Sequence, residues 1–221
     1  GTIVSGLVDA YQLTCTAKYK AAAERGGNFI FSLYALGECD LYGDEAYAFM
    51  RLSQIQADTC SNLYRTKLVD FYECVRGQPG GSQGYIDQFA TGTIITTAVY
   101  YLAYHTVAAY YVDAADKLIW RNSLIHYLAH VDDDSGRQNV SVTALGAAIW
   151  ALAKTGPLDS TPVKIYGLGS PNWNGILLEN LPFILQMHRC VDPDEQYTGN
   201  FFWRFDHQFG LGFTEDDVYG I

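Results

Sequence analysis

Positive charge is scarce in this chain: 14 Lys and Arg stand against 24 Asp and Glu, a formal net charge of -10 over 221 residues. Nucleic acid and anionic membrane surfaces both need a positive face, so bulk electrostatics excludes them as partners. A neutral ligand, or an anionic one held by a local Arg or Lys, stays open. No Cys-x-x-Cys pair and no Cys/His cluster with zinc spacing occurs, so a structural zinc site has no support. The Gly-x-Ser-x-Gly elbow, the Walker A loop and His-Glu-x-x-His are also missing, which removes the sequence signatures of α/β-hydrolases, P-loop enzymes and zincins. Alternating strand-like runs are few and isolated.

What remains is an apolar, aromatic, helical pattern. Hydrophobic residues make up 49% and charged residues 17% of the chain, with 17 Tyr, 11 Phe and 4 Trp. This composition excludes wholesale disorder, and the length suffices to bury a substantial core. Tyrosine combines an apolar ring with a hydroxyl, which suits both helix interfaces and sugar-stacking clefts. The stretch from Gln88 to Val112 has no Asp, Glu, Lys or Arg. Its Thr, Tyr and His105 content points to a helix buried inside a folded protein, in preference to a membrane span.

Apolar helices alternate with amphipathic ones across short polar turns. Ile3 to Leu13 precedes Thr14-Cys15-Thr16 and a helix over Ala17 to Phe31. A second apolar helix is expected from Phe29 to Leu41, turning at Tyr42-Gly43-Asp44 into a helix over Glu45 to Asp58. Leu13 and Tyr19 match Leu41 and Tyr47 at a constant shift of 28 residues. Thr16 and Asp44 are the expected N-caps. Further helices are expected over 61–75, 91–104, 113–129, 140–153 and 176–190, the last kinked at Pro182. Such alternation fits two concentric layers of helical hairpins, the inner helices covered all round. A simple tetratricopeptide-like solenoid is the competing arrangement, and its regular period is missing here.

The turn Leu41-Tyr42-Gly43-Asp44-Glu45-Ala46-Tyr47 resembles the inner-to-outer helix turn of (α/α) toroid enzymes, where a Thr-Gly-Asp-x-x-Tyr-type sequence is common. Thr14 to Tyr19 is a degenerate version of it. Val142-Thr143-Ala144-Leu145 and Trp150-Ala151-Leu152-Ala153 are similar to inner helices of six-hairpin glycosidase-like and terpenoid-cyclase-like toroids. The resemblance implies an all-α fold of antiparallel helical hairpins, a single domain over 1–221 forming a toroid or part of one. A complete six-hairpin ring is normally longer, and both chain ends read as processing or fragment boundaries.

Three segments carry candidate chemistry. Arg76 to Tyr85 is an expected Gly/Pro-rich loop that offers Tyr85 to a ligand. Leu158 to Asn174 offers Trp173. Tyr197 to Tyr219 holds the densest group: Trp203 as a stacking face, Arg204 as a planar fork for a carboxylate such as a uronic acid, and His207 as a base oriented by a carboxylate. Two acidic turns, Asp132-Asp133-Asp134 and Glu215-Asp216-Asp217, could supply a general acid, with Asp132 and Asp216 the chosen positions. The first is no EF-hand, because Gly136 falls one position early and no Glu closes the loop. The same residues also suit a solvated acidic turn, a helix cap or a structural Arg–Asp pair. The leading expectation is an extracytoplasmic or secreted carbohydrate-active domain, a polysaccharide lyase or glycoside hydrolase. It would bind a glycan or another small neutral or anionic ligand, with no nucleic acid and no membrane insertion. The alternative is a non-catalytic binding or scaffold module. Five cysteines at 15, 39, 60, 74 and 190 leave at least one thiol outside any internal pairing, and their spacing does not assign the pairs.

Overall fold

The computed structural model describes residues 1–34, 39–56, 62–93, 95–129 and 139–156. It also describes the backbone of short strands at 163–165, 168–170, 201–202, 204–206, 212–213 and 217–218. The fold is all-α. Among the described residues there are eight helices: α1 (Thr2–Thr14), α2 (Ala17–Leu33), α3 (Gly43–Ile55), α4 (Leu63–Arg76), α5 (Gly81–Thr91), α6 (Ile95–Val112), α7 (Lys117–Ala129) and α8 (Val142–Thr155). The expected helix over 176–190 lies outside the described residues.

The helix ends show how local chemistry sets the boundaries. Cys15 closes α1 in the left-handed conformation (φ 52°), its N–H bonding the Tyr11 carbonyl at 2.7 Å. Thr16 occupies the N-cap position of α2 as expected, but its hydroxyl turns back to the Thr14 carbonyl and caps nothing. Helix α3 starts two residues earlier than expected, so Asp44 sits in its first turn and Tyr42 is the N-cap. The Glu45 carboxylate accepts the Tyr42 N–H at 3.1 Å, satisfying a donor that the helix leaves unpaired. Asn62 caps α4 more completely. Its Oδ1 accepts from the Arg65 N–H at 3.0 Å, and its Nδ2 donates to the Ser53 carbonyl at 2.7 Å, tying the end of α3 to the start of α4.

Three expectations are corrected. Residues 29–33 belong to the end of α2, and 39–42 are not helical, so no helix runs from Phe29 to Leu41. The 28-residue correspondence fails there too, since Leu13 is 86% exposed while Leu41 is 3% exposed. The expected loop from Arg76 to Tyr85 shrinks to a tight turn. Gly80 takes φ 83°, where a side chain would be strained, and α5 begins at once. The helix expected from Asp113 begins at Lys117, because Asp113 itself is left-handed (φ 59°) and ends α6.

The chain divides into two compact units. The first comprises Gly1–Gln88 and Tyr104–Trp120. In it α1 packs on α2 and α3, α2 on α3, and α3 on α4. Phe49, Leu52, Tyr64, Leu68, Phe71, Tyr72, Val75, Ile86 and Trp120 form its core. A disulfide joins Cys39, just before α3, to Cys74 in the last turn of α4. The Tyr34 hydroxyl donates to Glu45, so the end of α2 is held to the start of α3.

The second unit comprises Phe89–Ala103 and Arg121–Ile221. Its core includes Val99, Leu102, Leu124, Leu128, Ala148 and Leu152. Short antiparallel ladders add to it: β1 (Asn139–Ser141) pairs with β5 (Arg204–Asp206), and β5 with β6 (Gly212–Phe213). Likewise β2 (Val163–Ile165) pairs with β3 (Leu168–Ser170), and β4 (Phe201–Phe202) with β7 (Asp217–Val218). At two or three residues each, they leave the helical class unchanged. No helix among the described residues is long and apolar enough to cross a membrane.

Candidate functional site

Chemically capable side chains gather at two places in the first unit, one buried and one open. The buried group lies where α4, α5, α6 and the start of α7 meet. His105 is 4% exposed and stacks on Phe71 with ring centroids 5.3 Å apart, while Trp120 lies 4.8 Å away on a tilted plane. Tyr72 meets the imidazole edge-on, its hydroxyl 3.3 Å from Nδ1 and 2.9 Å from the His105 carbonyl oxygen. Burial pushes His105 down to about 3, opposed by its hydrogen bond to the Leu41 backbone, so the ring is neutral at physiological pH. Burial, with the charge of Asp116 added, pushes the Tyr72 phenol well above its ordinary range.

Asp116, 6% exposed, closes this group from the residue before α7. Its Oδ2 accepts from the Ser82 hydroxyl and from Trp120 Nε1, the latter at 3.3 Å. Tyr85 packs at the edge, its ring 6.1 Å from both Phe71 and Trp120, and burial pushes its phenol up to about 12. Asp116 Oδ1 is buried without a hydrogen-bond partner, while its Oδ2 and the Tyr72 hydroxyl are bonded within the core. The cluster fixes four helices together, and Tyr85 is one of its packing rings.

The open group is built by α1, α3 and the part of α6 that belongs to this unit. Tyr47 and Arg51 are four residues apart on α3 and therefore share a face. The half-buried rings of Tyr47 and Tyr104 meet at 5.2 Å with planes 50° apart. Beside them Arg51 Nη2 donates to Asp9 Oδ1 and, at 2.7 Å, to Gln12 Oε1, while Nη1 donates to Gln54 Oε1 at 3.0 Å. Burial raises the Tyr47 phenol, Arg51 partly offsets this, and Asp9 and Tyr104 add to it, so all three groups sit within electrostatic reach of Tyr47. The register of α6 is set one helical turn pair further on. There the Tyr111 and Ser53 hydroxyls meet at 2.8 Å, and Arg65 lies 5.2 Å over the Tyr111 ring while bonding its carbonyl.

Of the residues expected from sequence to carry function, Tyr85 alone has a described side chain. Arg204 lies in β5, its backbone opposite Ser141 of β1. Trp203, His207, Asp132, Asp216 and Trp173 lie outside the described residues. Among the described residues, no group of three His, Cys, Asp or Glu is arranged to hold a metal ion. Sequence reasoning passed over Asp9, Gln12, Tyr47, Arg51 and Tyr104 as a group. The i, i+4 pair on α3 and the i, i+3 pair on α1 are visible in sequence, but their meeting is a tertiary event.

Comparison with protein-family models, with curated proteins and with solved structures gives no significant match for this chain.

Proposed function

We propose that this chain is a carbohydrate-binding all-α domain, its helical hairpins arranged as an (α/α) toroid or part of one. The observation that carries the reading is the Tyr47–Tyr104 ring pair set beside the Arg51–Asp9–Gln12 network. Sugar rings have apolar C–H faces and hydroxyl edges. A ligand of this kind is met by aromatic faces flanked by planar amide, carboxylate and guanidinium groups. The Cys39–Cys74 disulfide supports an oxidising, extracytoplasmic location. Calorimetric titration with a panel of oligosaccharides tests the reading: binding should weaken at least about tenfold in Tyr47→Ala and Tyr104→Ala, in keeping with roughly 1.4 kcal/mol per decade. Parent-like binding by both variants would overturn it.

A second reading, a polysaccharide lyase or glycoside hydrolase, is favoured by one observation in the second unit. The β1–β5 ladder pairs Asn139 with Asp206. In sequence Asp206 directly precedes His207, and Asn139 follows the Asp132-Asp133-Asp134 run by five residues. In this reading Arg204 clamps the substrate, His207 is the base, and Asp132 or Asp216 is the acid. Turnover of a bound oligosaccharide that survives both Arg204→Ala and His207→Ala would rule this assignment out.

A further inference from the structure

The polar half of the open group also specifies what kind of sugar it suits, an inference that rests on the glycan-binding reading above. We infer that the Tyr47–Tyr104 surface recognises a neutral sugar with neighbouring hydroxyls, and that it disfavours uronic acids.

The argument concerns which polar atoms are left for a ligand. The terminal nitrogens of Arg51 are already matched: Asp9 neutralises the guanidinium, Gln12 and Gln54 accept from Nη2 and Nη1, and Nε, which makes no hydrogen bond, is buried away from an approaching ligand. Only 16% of the Arg51 side chain is exposed, against 56% for Asp9. An approaching ligand therefore meets the carboxylate before the cation. Asp9 gives one oxygen to Arg51, which leaves the other as an acceptor. Gln12 and Gln54, both exposed, spend their amide oxygens on Arg51, which leaves their NH2 groups as donors.

An outward set of one anionic acceptor and two neutral donors suits vicinal hydroxyls, since each hydroxyl can donate to a carboxylate and accept from an amide. A uronate would bring a second carboxylate towards Asp9, in a chain that already carries a net charge of -10. Like charges brought together across an interface are a device for rejecting ligands. To bind here, a uronate would have to displace Asp9 from Arg51.

The experiment is a titration of the whole chain with two probes, neutral hexopyranose oligosaccharides and oligogalacturonate of the same length. It is repeated for Tyr47→Ala and Asp9→Asn, with thermal melts confirming that each variant is folded. The neutral probe should bind at least about tenfold tighter than the uronate, with little dependence on salt, and should lose most of its affinity in Tyr47→Ala. Asp9→Asn, a change at an exposed side chain, should weaken the neutral probe and strengthen the uronate by exposing the Arg51 charge. Tighter binding of the uronate by the parent chain, still lost in Tyr47→Ala, would overturn the inference and leave glycan binding standing. Binding of either probe that ignores both variants would overturn the location. If neither probe binds, the glycan-binding reading falls and the inference falls with it.

Discussion

The Tyr72 hydroxyl lies 2.9 Å from the His105 carbonyl oxygen and 3.3 Å from that residue's own Nδ1, so one side chain of α4 grips one residue of α6 twice. Both partners are buried beneath Phe71 and Trp120, where water cannot replace a lost contact. Tyr72→Phe should therefore lower stability by about 1–2 kcal/mol, the usual cost of removing one partner of a buried hydrogen bond. Urea unfolding monitored by circular dichroism measures it, and an unchanged midpoint would show that the contact contributes nothing net.

Acid should unfold the first unit partly through His105. Its native pKa, near 3, lies below the ordinary value of 6.5, so the unfolded chain binds the proton more readily. The contribution of neutral burial is fully present above about pH 6.5 and is lost progressively as pH falls towards 3. The slope from this one group is at most about 1.4 kcal/mol per pH unit. Melts across pH 7 to 4 should show that slope reduced in His105→Gln relative to its own stability at pH 7. Equal slopes in parent and variant would count against a buried neutral imidazole.

The Cys39–Cys74 disulfide closes a loop with a sequence separation of 35 residues. Chain-entropy arguments assign about 4 kcal/mol to a cross-link of this span. The double variant Cys39→Ser/Cys74→Ser should lose a large part of that, and reductant should destabilise the parent but not the variant. Thiol titration of the native chain would contradict the pairing if both residues reacted without denaturant.

Two glycines should respond in opposite directions. A Cβ at Gly27 on α2 would collide with Leu52 and lie 3.0 Å from the Tyr64 ring, whose hydroxyl is held by Asn28 at 3.0 Å. Leu52 is fully buried and has little room to yield. Gly27→Ala should cost about 1–3 kcal/mol by overpacking. A Cβ at Gly6 on α1 meets nothing within 4 Å, so Gly6→Ala should stabilise by up to about 1 kcal/mol through helix propensity alone. Chemical denaturation of the two variants side by side tests both, and a shift of the same sign would refute the packing account.

Much of the helical pattern was readable along the chain. The first hairpin appears as expected, α1 ending at Thr14 and α2 starting at Ala17, because a Thr-Cys-Thr turn between runs of opposite character is a local signal. The charge-free stretch from Gln88 to Val112 is helical in two pieces, the end of α5 and all of α6, and within α6 Val99, Leu102, Ala103, Ala108 and Ala109 are buried. Errors arose where distant contacts overrode local pattern. Leu41 looked like part of an apolar helix, yet it sits in a non-helical segment beside a cysteine bonded to α4. Tyr85 looked like a loop residue, but the left-handed Gly80 turns the chain tightly enough for α5 to begin four residues before it.

The sequence by itself determined the all-α class, most helix positions and the shortage of positive charge. Periodicity, capping and composition act over a few residues and need no distant partner. The tertiary structure decided which aromatic rings became core and which stayed open. Tyr72 and Tyr47 are alike in sequence, yet one is locked against His105 and the other lies beside Tyr104 and the Arg51–Asp9 pair. The side of a helix that is covered depends on which other helix arrives there, and that choice is made by packing across dozens of residues.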